Sequence, residues 1–570
     1  MAELGILPDN GTDVTLRINQ IIDSIRVCTE QTDSIEFVFS KGRYELYPHK
    51  EMTREFYISN HDQVNPKYVG IDISGFKHMK LNGAGAEFIC HGRMLPIAMT
   101  GSDSCSVSDL SIDFDNPQIA QIEILENDTI RGEIKYKPAQ WVKYDVSDSV
   151  FTVFGDGWRI EPSSGIAFEH NTRHLVYCTS DIAVGTRGVT EWPDGTISAP
   201  WNNPRLIPGT VVAMRNYERP APAIFVADCN GITLENINVH YAEGMGLLAQ
   251  MSSDITLKGF NVCLRGEYDP RYFTTQADAT HFSGCKGHIS STGGLYEGMM
   301  DDAINVHGTY LKVMERIDSN KLRAQYMHHQ SYGFRWGEPG DSVQYIASNT
   351  MEIIGSPNII KSIVPVDSGH IEGAKIFDIE FESPVPATVA PENGTYGIEN
   401  LTWTPSVYFA DNIIRNNRAR GSLFSTPRKV VAENNLFDHT SGTAILLCGD
   451  CNGWFETGAC KDVLIRKNKF INALTNLFQF TNAVISIYPE IPDLDNQKKP
   501  FHHGIIIEEN EFVTFDKPLL YAKSVDSLIF RNNTVIYNSD YPSFHWNKEA
   551  IRLEKVTNAE VEMPTDQSYK

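Results

Sequence analysis

The sequence predicts an all-β protein: a right-handed parallel β-helix carrying two inserted antiparallel β-barrel or sandwich modules, with a capping helix at its N-terminus. Three observations predict it. Strand-and-turn units recur at a spacing of about 23 residues. Two stretches of roughly 100 residues break the recurrence with a period-2 pattern. The chain also opens on a helical spacing of isoleucines.

The recurrence is clearest in Ile232-Thr233-Leu234-Glu235-Asn236-Ile237-Asn238-Val239, which returns as Ile255-Thr256-Leu257-Lys258-Gly259-Phe260-Asn261-Val262. A weaker copy reads Val107-Ser108-Asp109-Leu110-Ser111-Ile112. Later copies begin at Ile413, Val430, Val463, Ile505 and Leu528, each running into Asn. β-Branched residues alternating with polar ones form a short strand, and Asn or Gly tolerates the left-handed backbone that turns a corner. Such a unit cannot bury its own apolar face and must stack on its neighbours. The regular leucines and helical half of a leucine-rich repeat are missing, which leaves coils hydrogen-bonded as parallel sheets.

An open solenoid end exposes apolar surface. Ile18, Ile21, Ile22 and Ile25 fall on one helix face after Thr12 and Asp13, two plausible N-caps, and the helix is expected to plug the first coil. The chain divides accordingly into a cap with first coils (1–117), a β-module (118–218), central coils (219–308), a second β-module (309–405) and C-terminal coils (406–570). Phe377, Ile379 and Phe381, alternating with Asp378, Glu380 and Glu382, typify the modules.

With 72 acidic against 49 basic side chains, the net charge of −23 repels phosphate backbones and anionic membrane surfaces. Nucleic acid is therefore not an expected partner, and no apolar run is long enough to span a bilayer. Met1-Ala2-Glu3-Leu4-Gly5 lacks the basic and apolar regions of a signal peptide, as would a processed chain. Ten cysteines are too sparse for a disulfide scaffold. Cys448, Cys451 and Cys460 cluster without a fourth ligand at metal-site spacing, so a loop disulfide or plain thiols are expected, and no metal or other cofactor.

The chemistry concentrates between Ala277 and Gly308. Asp278-Ala279 and Asp302-Ala303 open similar strands one coil apart, and Thr443-Ala444 opens a later one with threonine in the aspartate's place. Adjacent strands lie about 4.7–4.9 Å apart, so Asp278 and Asp302 should stack with their carboxylates close, an arrangement that raises a pKa. Asp301 would point to the opposite face of a regular strand, and only a bend or bulge after Gly298 would bring it alongside Asp302. On spacing alone, Asp301 capping a turn with Asp302 facing solvent stays open.

The run Ala277-Asp278-Ala279-Thr280-His281-Phe282, followed by Gly293-Gly294-Leu295-Tyr296-Glu297-Gly298-Met299-Met300-Asp301-Asp302-Ala303-Ile304-Asn305-Val306-His307-Gly308-Thr309-Tyr310, resembles the signature of the α-1,3-galactosidases of glycoside hydrolase family 110. The likeness extends through the coils and both inserts. It implies removal of terminal α-1,3-linked galactose, as on blood group B and linear α-galactosyl glycans, with inversion at the anomeric carbon and with Asp278, Asp301 and Asp302 as the catalytic set. The set is also similar to that of polygalacturonases. That analogy makes Asp301 the general acid and gives Asp278 and Asp302 the attacking water.

Crowded carboxyls split their pKa values, so that an acid and a base coexist near neutral pH. Around them Arg265, Glu267, His281, Asn305, His307, Trp454 and Glu456 are the candidates for holding sugar, with Trp454 offering a face for stacking. Packed histidines and a surface ion pair at Arg265 and Glu267 are the plainer alternatives. The expected partner is a carbohydrate met outside the cytoplasm, and a homodimer is left open. Two rivals remain: a noncatalytic glycan-binding β-helix and a polysaccharide lyase. The lyase would need a calcium site and an acidic substrate, which the charge disfavours.

Overall fold

A computed structural model describes residues 1–28, 34–182, 185–201 and 203–568. Its body is a parallel β-helix whose coils join, among the described residues, in one 31-stranded sheet system. The sequence repeat is the sheet register: Ile232 pairs with Ile255 and Leu234 with Leu257, while on the other side Leu234 pairs with Val107. Inward side chains of successive coils thus superpose into one continuous apolar core, in which Phe437, Phe470 and Phe512 stack at 5.2 and 5.0 Å between ring centroids.

Corners are made by two devices. Asp411, Asn434, Lys467, Glu509 and Asn532 take positive φ, and the residue after each is an asparagine buried in the core. Asn412, Asn435, Asn468, Asn510 and Asn533 form a ladder. Each of the first four donates backbone N–H and side-chain Nδ2 to the next residue's Oδ1 at 2.9–3.1 Å. The ladder corrects one alignment. The true counterpart of the strand Lys429–Glu433 is Ser406–Ala410, whereas the look-alike Ile413–Arg415 pairs with Leu436–Asp438 in another sheet. Both stretches run from β-branched residues into Asn, so pattern alone does not separate them.

The helix Thr15–Cys28 lays Ile18, Ile21 and Ile22 against this core, and Asp13 Oδ1 accepts the Thr15 N–H at 2.9 Å as its cap. Two antiparallel modules leave the coils. The first builds a six-stranded sheet from Ala120–Asp128 to Val211–Arg215 with a three-stranded sheet beside it. The second closes a six-stranded barrel from Leu311–Arg316 to Tyr396–Asn400. The coils between the two insertion points and those that follow the second insert hold most of the pocket. All ten cysteines are free, and Cys448, Cys451 and Cys460 are buried thiols whose pKa burial pushes up.

Candidate active site

One ladder of the helix runs through Leu247–Gln250, Thr280–Ser283, Ile304–Thr309, Ser422–Phe424 and Ile445–Leu447. Two residues before each strand start stands a site position. Thr280 pairs with Ile304, Ile304 with Ser422 and Ser422 with Ile445, which superposes Asp278, Asp302, Arg420 and Thr443. Asp301 lies in the bend between Leu295–Glu297 and Ile304–Thr309, outside any strand. Strand alternation therefore does not apply, and consecutive aspartates face one pocket. The three carboxylates are buried and offer oxygens within 4.8 Å of one another.

Four guanidiniums, Arg215, Arg219, Arg418 and Arg420, share the pocket wall with them. Asp301 Oδ2 accepts from Arg219 at 3.0 Å, and its Oδ1 from Arg418 at 3.3 Å with Arg420 at 3.7 Å. Asp302 meets Arg420 through both oxygens at 2.9 Å. Asp278 is paired with other groups: Oδ2 lies 2.7 Å from His281 Nδ1, and Oδ1 accepts the Asp302 N–H at 3.3 Å.

These surroundings split the carboxyls. Burial, with the Asp301 charge beside it, pushes Asp278 up to about 8 against the pull of Arg219 and Arg420. Burial acts upward on Asp301 as well, but Arg418, Arg420, Arg219 and Arg215 outweigh it and bring that carboxyl down to about 2. Burial, joined by the Asp301 and Asp278 charges, raises Asp302 well above the usual carboxylate range against the pull of Arg420. The donor set is close enough to hold a cation, but the guanidiniums already supply the positive charge that would otherwise attract one.

The other candidates divide. His281, Asn305, Trp454 and Glu456 line the pocket. Asn305 Oδ1 is buried without a hydrogen-bond partner, a vacancy suited to a sugar hydroxyl. Trp454 has one face stacked on His328 at 4.3 Å, in a loop whose N–H groups Asp450 gathers. Glu456 accepts from Asn60 at 3.0 Å; burial acts to raise it, yet its carboxyl lies below the usual carboxylate range, with the Asn60 hydrogen bond and the Arg420 charge acting downward.

His281 and His307 are fully buried, with the nitrogens of both rings engaged by protein groups. Their ring nitrogens are taken up within the protein, while His281 still borders the pocket. Arg265 and Glu267 lie elsewhere: Arg265 Nε pairs with Asp113 at 2.5 Å in another groove, and Glu267 is exposed. They precede the catalytic coil in sequence, but the chain passes there along a different side of the helix.

Sequence reasoning missed the arginines, Asn60 and Gln330. Asn60 comes from the first coils and Gln330 from the second insert, with no spacing to connect them. Arg420 had a signal, since Arg420-Gly421-Ser422-Leu423-Phe424 precedes a strand as Asp302 does.

The pocket has a volume of about 310 Å³, at the small end of ligand sites. Residues 120–212 match the family described as GLAA-B β-barrel domain I, and residues 321–393 match GLAA-B β-barrel domain II. Alpha-1,3-galactosidase B of Parabacteroides distasonis is 59% identical over 563 residues, covering 99% of this chain and 92% of that protein. An alpha-1,3-galactosidase B of Phocaeicola vulgatus is 57% identical over 567 residues, covering 98% and 95%. Among solved structures, an exopolygalacturonase from Thermotoga maritima is similar at a TM-score of 0.40 and 10% identity, covering 98% of this chain and 90% of that one.

Proposed function

The chain belongs to the α-1,3-galactosidase family of glycoside hydrolases, and from that premise we propose that it is an exo-acting, inverting enzyme removing terminal α-1,3-linked galactose from blood group B and linear α-galactosyl glycans. Carrying this reading is the split within one buried trio: Asp278 raised to about 8 beside Asp301 lowered to about 2. A donor and an ionised carboxylate coexist at neutral pH, as acid-assisted glycoside cleavage requires. The small pocket favours a terminal sugar over a long chain.

Our reading departs from the polygalacturonase analogy in the role of Asp301. Surrounded by arginines, it is held ionised and is a poor proton donor. Asp278 is the general acid in our reading. It gives its proton to the glycosidic oxygen as the bond from C1 breaks and the electron pair stays with the leaving oxygen. Asp302, raised by burial and by the neighbouring Asp301 and Asp278 charges but facing the Arg420 guanidinium at 2.9 Å, is the group that in its ionised form takes a proton from the water that attacks C1. Asp301 stabilises the positive charge that develops at the anomeric carbon.

One observation favours retention instead: oxygens within 4.8 Å are nearer than the roughly 6.5–9.5 Å usual between carboxyls of inverting enzymes. Inversion is preferred because both oxygens of Asp301 face guanidiniums, while Asp302 Oδ2 accepts from Arg420 and its Oδ1 lies 2.9 Å from Arg420 Nε, which weakens either as a nucleophile on carbon. NMR of the first-formed product decides it: β-galactose is expected, and initial α-galactose would establish retention. B trisaccharide and a linear α-galactosyl disaccharide assayed side by side should each lose one terminal galactose and leave the remaining acceptor sugar intact. Placement outside the cytoplasm belongs to the same reading, and fractionation of the native cells checks it.

A further inference from the structure

His307 Nδ1 lies 2.7 Å from the Gly308 carbonyl oxygen, which can only accept. That nitrogen therefore carries a proton. Burial lowers the pKa of His307, so the ring is neutral and its Nε2 presents a lone pair. At 2.7 Å from that lone pair stands His281 Nε2, which must donate. Burial likewise lowers His281, to about 4, which leaves Nδ1 as an acceptor. Opposite it, again at 2.7 Å, is Asp278 Oδ2. The only donor that completes the chain is a proton on that oxygen.

We infer that His281 and His307 are positioning residues, which with the Gly308 carbonyl form a hydrogen-bond relay of fixed polarity that keeps the reactive proton on Asp278. This rests on the reading of Asp278 as general acid and adds what maintains it. Ionising Asp278 would set a carboxylate lone pair against an imidazole lone pair at 2.7 Å, and both rings are sealed from solvent, so no water mediates. Reversing the chain would aim a lone pair at the Gly308 carbonyl. Relief would require an added proton on one ring.

The charges that face this relay are few. Asp278 faces Asp301, Asp302, Arg219, Arg420 and Glu456. The rings face Glu456, Arg219, Asp301 and the neutral His61. Glu456 Oε1 is 3.4 Å from His307 Nε2, farther than His281, and is already served by Asn60 at 3.0 Å. An imidazolium at His307 paired with Glu456 is the opposite arrangement, which the test must be able to reveal.

The test compares pH profiles of kcat/KM. In His307→Leu the acceptor is gone, His281 can take its other tautomer and donate to ionised Asp278, and the high-pH limb should fall by about one to two pH units. In His307→Gln the amide oxygen can restore the acceptor, and the limb should return towards its original position. A merely structural role would lower the rate at every pH without moving the limb, and that result would overturn the relay. Should His307→Leu not fold, ¹⁵N-histidine NMR of the unaltered protein gives the same decision. Protons on Nδ1 of His307 and Nε2 of His281 are expected; a doubly protonated His307, or His281 protonated on Nδ1, would overturn it. A limb that survives Asp278→Asn would instead remove the acid role on which the relay rests.

Discussion

Asp302 and Arg420 occupy the same position of successive coils and meet through two contacts of 2.9 Å, although 118 residues separate them in the chain. The β-helix thus supplies a counter-charge for this buried aspartate by stacking. Arg420→Lys keeps the charge but not the two-point fork, and should lower kcat by about tenfold or more while folding is retained. Arg420→Met leaves a buried carboxylate uncompensated, and should cost about 3–5 kcal/mol in a denaturant titration.

The rate should fall as pH rises through about 8, because Asp278 must hold its proton to donate it and its folded pKa is raised to that value. The low-pH limb belongs to Asp302, which must be ionised; because burial raises its carboxyl well above the usual carboxylate range, that limb should lie above the range. Asp301, already ionised above about 2, adds no limb in the working range. A kcat/KM profile checks this, and a high-pH limb near the ordinary carboxylate range would contradict the assignment.

Chelation should leave the rate unchanged, since Arg215, Arg219, Arg418 and Arg420 already balance the carboxylates. Activity measured after EDTA dialysis, with and without added calcium or zinc, is the check. Loss restored by either ion would place a metal among Asp278, Asp301 and Asp302.

The asparagine ladder should bear on stability alone. Asn468 Oδ1 accepts the buried Asn435 N–H at 3.0 Å, and its Nδ2 donates to the Ala432 carbonyl at 2.9 Å. Asn468→Ala orphans both, at about 1–3 kcal/mol each. The melting temperature should drop while the pH limb stays in place.

Much of this was legible in the sequence, for identifiable reasons. Register makes the 23-residue repeat visible, since pairing Ile232 with Ile255 requires similar side chains one coil apart. The 24-residue step from Asp278 to Asp302 is the same rule with chemistry on it. What was not legible is what the inserts interrupt or contribute. Arg420 stacks on Asp302 only once the second barrel is looped out, and Arg219 arrives on the segment that follows the last strand of the first module. Arg265 misleads in the opposite sense: near the site in sequence, it spends its charge on Asp113 and Glu87.

The most direct measurement of the account's central claim, that Asp278 and not Asp301 is the proton donor, is the pair of rates for Asp278→Asn and Asp301→Asn on an α-1,3-linked glycan and on an activated aryl α-galactoside. The amide keeps a donor towards His281, so Asp278→Asn should fold. It should lose about 10²–10⁴-fold on the glycan, whose alkoxide leaves poorly without a proton, and much less on the aryl substrate. Asp301→Asn should depress both substrates alike, because charge at the anomeric carbon develops whatever departs. An aryl substrate spared by Asp301→Asn but not by Asp278→Asn would contradict the assignment and return the donor role to Asp301.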